Sequence, residues 1–450
     1  MRRVVVTGLG ALSSYGQGVD TLWSNLLQNN SVLEPIPGHW DDYANYRSRV
    51  ISPLPDFDYL ASGFKRYELR SYDRVAMNAI VAAREAIEHA GFNLSLTRPK
   101  INGFSIDGQD PTRAGVYFGT GVGGVNSFID NILHHYCYEP IKSIATHYGA
   151  DEQYQNLHAD LNRMVHPKRV DHFAVPRFMP NAPAAAVGIK MGTQGPAQNF
   201  SLACASGTAA IGRGYQDVRS GSVDLAITGG VEFLRDPAGS MFRGFDLAGT
   251  LMSGDDLPMD ALNRPFDRKR SGFLFSEGGA ASLILEEYEH AVARGAPIIA
   301  EICAYAETFD AHSIMSIEES GSQIRRLIQC VTADAGLSPA DIDYVNAHGT
   351  GTTLNDEIES AAIESTFGNN VLVNSTKALL GHTIGASGAF EALVSVLSIA
   401  HQTTHCCRNL DEPIRDLNFV RTQDNHTIET AYSQSFAFGG HNCALLFARS

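Results

Sequence analysis

Positive charge is scarce in this chain: 34 Lys and Arg stand against 49 Asp and Glu, a formal net charge of −15. Extended nucleic-acid binding needs clustered Lys and Arg at the phosphates, so that function class is excluded for the surface as a whole. A local basic patch is not. Long apolar runs are also missing. No stretch reaches the roughly 18 apolar residues of a membrane-spanning helix, so no membrane role is expected. The opening MRRVVVTGLGALSSYG imitates a signal peptide, but Thr7, Gly8 and Gly10 break it, and it reads as a buried strand and turn. The seven cysteines form no CxxC pair, and adjacent Cys406 and Cys407 read as buried thiols. This excludes a disulfide framework and a structural zinc site, and it leads us to expect a reducing, cytoplasmic setting. Low-complexity segments and short repeats are absent.

What is present suits a folded chain of two packed domains or one duplicated unit: 450 residues, 44% hydrophobic and 18% charged. Continuous apolar strands alternate with helical stretches, a pattern that predicts parallel sheet covered by helices. The strands are expected at residues 4–7, 114–118, 198–202, 225–228, 281–285, 298–305, 344–347, 371–373 and 430–436. Helices are expected at 72–90, 206–220, 320–335, 356–367 and 386–401. The first half is expected to span 1–287 and the second 288–450. A polar segment rich in His and Tyr, about 127–170, interrupts the first half as a partly helical surface excursion. Its His134, His135, His147 and His158 lack the close carboxylate spacing of a metal site.

Four stretches carry possible chemistry. In NFSLACASGTAAIG, Cys204 sits where a strand meets a helix, among very small side chains. The helix start offers backbone N–H groups and positive potential that favour thiolate and bind an oxyanion. A buried structural cysteine explains the same local pattern. In VNAHGTGTTLNDEIES, His348 emerges at the C-terminal edge of a strand, where open α/β sheets place ligands. Gly349 and Gly351 make a tight turn, Thr350 and Thr352 offer hydroxyls, and Asp356 is expected to cap the next helix. In NSTKALLGHTIGASGAFEA, Lys377 and His382 lie in a small-residue loop ahead of Glu391, an ion-pair partner for the lysine. In SFAFGGHN, Phe436 and Phe438 precede a glycine turn at Gly439 that brings backbone close to a ligand, or simply joins two core strands. A cysteine with two histidines need not be a protease, which uses His as base with an orienting Asn or Asp. Two neutral imidazoles donating N–H to one oxygen would stabilise an enolate instead.

Taken in order, VVVTGLGALS, GTGVGG, ACASG, RPFDRKRSGFLFSEGGA, NAHGTGT, STKALLGH and FGGHN resemble the elongating β-ketoacyl-acyl-carrier-protein synthases over nearly the whole chain. The resemblance implies an α/β thiolase fold: two similar α-β-α-β-α halves in a five-layered core, in a homodimer or with a chain-length-factor-like partner. It implies Cys204 as acyl acceptor and His348 and His382 as the decarboxylation pair. Lys377 and Glu391 stand beside them, and the backbone of Cys204 and Phe438 forms the oxyanion hole, with Phe438 and Gly439 at a gate. Thr350 and Thr352 match hydroxyls at the phosphopantetheine arm, with Phe436 nearby. Val122 and Ala174 match positions that limit chain length, and both are small here, which predicts room for a long chain. Lys168 and Arg169 match a docking pair for acyl carrier protein, and Lys65, Arg66, Arg70 and Arg74 form a second basic candidate. No metal, redox or nucleotide cofactor is implied. The expected reaction extends a Cys-bound acyl chain by two carbons from malonyl-carrier protein in fatty-acid synthesis. The rival readings are a polyketide or polyene ketosynthase and a non-catalytic partner subunit. Cys204 with both histidines opposes the last.

Overall fold

The computed structural model describes residues 2–133, 142–144, 146–147, 172–254 and 257–450. The strands of the main sheet are β1 (Val4–Ser13), β2 (Ala114–Gly119), β3 (Ala197–Phe200), β4 (Leu225–Phe233) and β5 (Gly278–Glu287), then β6 (Ala300–Phe309). They continue with β7 (Tyr344–Asn346), β8 (Leu372–Asn374), β9 (Asn418–Phe419), β10 (Thr430–Ala437) and β11 (His441–Ala448). Across the sheet the order is β9-β8-β7-β10-β11-β6-β1-β5-β4-β2-β3. Read outward from the middle, β1-β5-β4-β2-β3 and β6-β11-β10-β7-β8 repeat one another. In each, the first three strands run antiparallel and the last two join in parallel. β1 and β6 pair antiparallel at the centre, Val4–Val6 against Ala300–Ile302. The expectation of a parallel sheet is therefore corrected to a mixed one. Strands buried on both faces look equally apolar in either direction, so run composition carries no sign of pairing sense.

The five expected helices appear with shifted ends, as α1 (Arg74–His89), α3 (Ser206–Arg219), α4 (Ser322–Asp334), α5 (Thr353–Phe367) and α6 (Ser387–His401), and α2 (Ala182–Met191) is one the sequence reading did not expect. β1 does not stop at Thr7. It runs on through Gly8 and Gly10 because α1 lies on it backbone to backbone. A Cβ at either glycine would stand 2.0 Å from a carbonyl oxygen of Ala86 or Ala82. α3 and α6 form the inner helical layer and meet at Gly207 and Gly388. The stretch Ile384–His401 is long and apolar enough to cross a bilayer, but 89% of it is buried. It is a core helix. Apolar clusters fill the space on both sides of the sheet, and the excursion at 127–170 lies mostly outside the described residues.

One close approach bears on the site. The end of β2 touches the start of α3, and a Cβ at Gly119 would sit 2.2 Å from the carbonyl carbon and oxygen of Ser206. Gly119→Ala should cost about 1–3 kcal/mol. A lowered midpoint in urea unfolding checks this.

Candidate active site

Cys204 lies in a short turn, Ala203–Ala205, between β3 and α3. Ala203 holds φ at +45°, a left-handed conformation that costs an alanine about 1–2 kcal/mol. Ser206 sustains it: its hydroxyl accepts from the N–H of Leu202 at 2.8 Å and donates to the Ala203 carbonyl at 2.7 Å. The turn points the free thiol into a cleft of about 260 Å³ lined by His348, His382, Thr350, Thr352, Phe436 and Phe438, among others.

His382 Nε2 is 3.0 Å from Cys204 Sγ. The N–H of Ile384 points at His382 Nδ1 at 3.3 Å, and the Ser387 hydroxyl lies 2.9 Å from the same nitrogen. An N–H can only donate, so Nδ1 accepts and the ring proton belongs on Nε2. His348 is set the same way from another direction. Lys377 Nζ donates to His348 Nδ1 at 3.1 Å and to the His348 carbonyl at 2.8 Å, and its third proton goes to Glu391. Both imidazoles therefore present Nε2–H. Ligating atoms of Cys204, His348 and His382 all lie within 4.8 Å of one another. The backbone N–H groups of Phe438 and Cys204 favour the charged form of the same sulfur.

Burial, not the helix start, dominates the thiol. It pushes Cys204 up to about 12, with the Lys377 charge and the Phe438 N–H pulling back. The pull toward thiolate expected from the helix start is outweighed. The helix potential acts on a group that has lost its water. His348 and His382 are held well below the usual histidine value, by burial first and then by the Lys377 charge. Both stay neutral.

Beneath His348 the sequence reading missed an acid. Glu359 accepts from the N–H of His348 and of Gly349, both at 2.7 Å, and from Gln434 and Asn355. Asp356 does not cap α5, which begins at Thr353. Its carboxylate takes the N–H groups of Thr350, Gly351 and Phe266, so it fastens the turn that carries the threonines. Phe438 and Gly439 lie half-buried in the turn between β10 and β11, over the cleft. The described lining of the cleft does not include Val122 or Ala174. Val122 packs in an aromatic cluster with Phe242 and Phe245 behind Ile384, and Ala174 is buried at the start of a short helix. Lys65, Arg66, Arg70 and Arg74 are exposed, whereas Lys168 and Arg169 lie outside the described residues.

The buried acids and histidines oppose each other in their pH dependence. Burial also pushes His405 down, to about 4, and pushes Glu232 and Glu359 up to about 7. A depressed histidine contributes stability above the ordinary value of 6.5, lost as pH falls. A raised glutamate contributes stability below 4.5, lost as pH rises through 7. Between about 4.5 and 6.5 the two effects offset. Below about 4.5 the raised glutamates no longer act, and the histidines held lower still, with partnered carboxylates such as Asp224 held down by Arg113, lose stability together at up to about 1.4 kcal/mol per pH unit each. Urea unfolding at a series of pH values should therefore show a near-plateau and then a steep loss on the acid side.

A thiol beside an imidazole N–H, with a second imidazole aimed at the same point, suits thiol-based acyl transfer. Comparison with known proteins narrows this. Residues 1–291 match the β-ketoacyl synthase N-terminal domain, and residues 299–411 match the β-ketoacyl synthase C-terminal domain. A 3-oxoacyl-[acyl-carrier-protein] synthase 2 of Staphylococcus aureus strain N315 is 35% identical over 457 aligned positions, covering 100% of this chain and 98% of its own. The enzyme of that name from Synechocystis sp. is 34% identical with the same coverage. A β-ketoacyl synthase structure from Burkholderia phymatum superposes with a TM-score of 0.82 at 31% identity, covering 100% of both chains. A type II polyketide ketosynthase with its acyl-carrier protein, bound to a hexaketide, gives 0.82 at 27% identity, covering 100% of this chain and 99% of that one. The chain belongs to the β-ketoacyl synthase family and has its thiolase fold. It is a condensing acyltransferase.

Proposed function

We propose that this enzyme joins malonyl-carrier protein to an acyl chain held on Cys204, lengthening it by two carbons in fatty-acid synthesis. The convergence of two Nε2–H groups on Cys204 carries the reading. In the first stage the Cys204 sulfur attacks the acyl thioester carbonyl. The phosphopantetheine C–S bond breaks, and the thiol proton leaves with the departing thiol. The exchange needs no net base, which suits a thiol raised by burial. The N–H groups of Cys204 and Phe438 take the charge on the tetrahedral oxygen. In the second stage malonyl thioester loses CO₂, and the C–C electron pair becomes an enolate. Its oxygen accepts from His348 and His382, both neutral donors. The enolate carbon then attacks the acyl-Cys204 carbonyl, the C–S bond breaks, and the released thiolate takes a proton. Lys377 fixes the His348 ring and Glu391 balances Lys377. Thr350 and Thr352 line the arm's approach, and Phe438 with Gly439 gates it. Nothing in this scheme calls for a cofactor beyond the carrier's phosphopantetheine.

Carrier proteins are acidic, and the exposed Lys65, Arg66 and Arg70 offer a complementary face. Their segment is pinned from below by the buried Lys190–Glu68 pair. Lys168 and Arg169 are proposed as further docking residues. Val122 and Ala174 are proposed to set chain length from behind the cleft, in a cytoplasmic homodimer whose halves span 1–287 and 288–450. The full-length 35% identity to fatty-acid-type relatives favours saturated medium-to-long chains over polyketides. Intact-protein mass spectrometry against a panel of acyl-carrier proteins tests this. A saturated-chain adduct on Cys204, followed by product on adding malonyl-carrier protein, is expected. Preference for poly-keto or polyenyl chains would move the enzyme to the polyketide reading, and no adduct across the panel would sink both.

A further inference from the structure

The peptide that sets the His382 ring is itself under strain. Ile384, whose N–H points at His382 Nδ1, holds φ at +49°. For a β-branched residue this is a costly conformation that persists only where the surroundings impose it. Ser387 cannot impose the tautomer, because a hydroxyl donates or accepts as required. Ile384 N–H is therefore the group that decides where the His382 proton sits.

Glu232, on β4, stands where that strain is held. Its carboxylate is buried and accepts from two separate loops. From the GTGVGG loop come the N–H of Gly121 at 2.7 Å, the Thr120 hydroxyl at 3.0 Å and the N–H of Val122 at 3.3 Å. From the His382 loop comes the N–H of Gly385 at 3.1 Å, the residue directly after Ile384. The two loops touch backbone to backbone: a Cβ at Gly385 would lie 2.2 Å from Gly121 N, and one at Gly121 would lie 2.8 Å from Ile384 Cγ2. None of these contacts is a cation. A carboxylate held only by N–H and O–H donors acts here as a geometric clamp, and it is costly to bury without a reason to keep it.

We propose that Glu232 is a positioning residue that ties the GTGVGG loop to the Ile384–Gly385 peptide and so keeps His382 in its Nε2–H form. This rests on His382 acting as an N–H donor in condensation. It also couples the two ends of the reaction. Val122, in the aromatic cluster with Ile384, shares the Glu232 carboxylate with the N–H of Gly385, next to the Ile384 N–H that sets the His382 ring, so a chain that displaces the loop would be felt at the histidine.

Nitrogen-15 NMR of histidine-labelled full-length enzyme, with His382 assigned by its loss in His382→Asn, reads the tautomer directly. Wild type should show a pyrrole-type Nε2 and an acceptor-type Nδ1. Glu232→Gln turns one acceptor into an amide donor facing backbone N–H groups. It should give mixed tautomers and a condensation rate lower by about 10–100-fold, while acyl loading of Cys204 stays within about threefold. Glu232→Asp keeps the charge but cannot span both loops, so it should shift in the same direction to a smaller extent; it carries the test if Glu232→Gln does not fold. An unshifted tautomer in a folded Glu232 variant overturns the clamp and leaves the role of His382 intact. A wild-type His382 protonated on Nδ1 overturns both.

Discussion

Cys204→Ala should abolish the acyl-enzyme adduct and lower condensation by at least about 10⁴-fold. Thiol loss removes the only covalent station for the acyl chain. The other groups of the site survive it, because none of them depends on the sulfur for its position. Ala203 keeps its turn through Ser206, His348 keeps its Lys377 contact and His382 keeps the Ile384 N–H. The variant should therefore still release CO₂ from malonyl-carrier protein, since the enolate needs only the two imidazole donors. Mass spectrometry of the protein and a carbonate assay separate these outcomes. Loss of both activities together would mean that the thiol, not the histidine pair, organises the malonyl site.

Lys377→Ala is the second large effect, and it has two parts. The ammonium uses all three protons, on His348 Nδ1, the His348 carbonyl and Glu391. Removing it leaves Glu391 buried with, among the described residues, the Ser435 hydroxyl as the remaining donor to its carboxylate. Such an uncompensated buried charge costs about 3–5 kcal/mol. The His348 ring also loses its fixed tautomer, and loss of one oxyanion donor lowers rate by about 10²–10³-fold. The double variant Lys377→Met with Glu391→Leu separates the parts. It should recover most of the stability, because paired charges replaced by apolar groups are often neutral. It should not recover the rate. Recovery of both would reduce Lys377 to a structural residue.

The site was legible where chemistry requires a rare residue in a local setting. Cys204, His348 and His382 stand out because each sits among small residues, the first two just past the end of a strand and His382 in the loop ahead of α6. The acids beneath them did not. Glu359 reads as one more charge on α5, and Glu232 as the end of an apolar strand. Glu359 takes Gln434 besides the nearby His348 and Gly349 N–H groups, and Glu232 is held by the loops around Gly121 and Gly385, far away in the chain. Asp356 was assigned to a cap because a cap is the nearest unsatisfied donor set, yet the turn before it offered a better one. Strand positions were legible from apolar runs, but pairing sense was not. The length of β1 was hidden by glycines that usually end strands and here admit a helix.

The seam between β1 and β6 has a consequence beyond the site. The first strand of the chain is paired on one side with β5 and on the other with the opening strand of the second half. Neither half can be lifted out without baring a sheet edge at the centre of the molecule. The inner helices α3 and α6, one from each half, would be stripped of their partners as well. Gene fusion or exchange between relatives would thus have to carry both halves together. The repeat is visible in the architecture, but neither copy is a self-contained sheet.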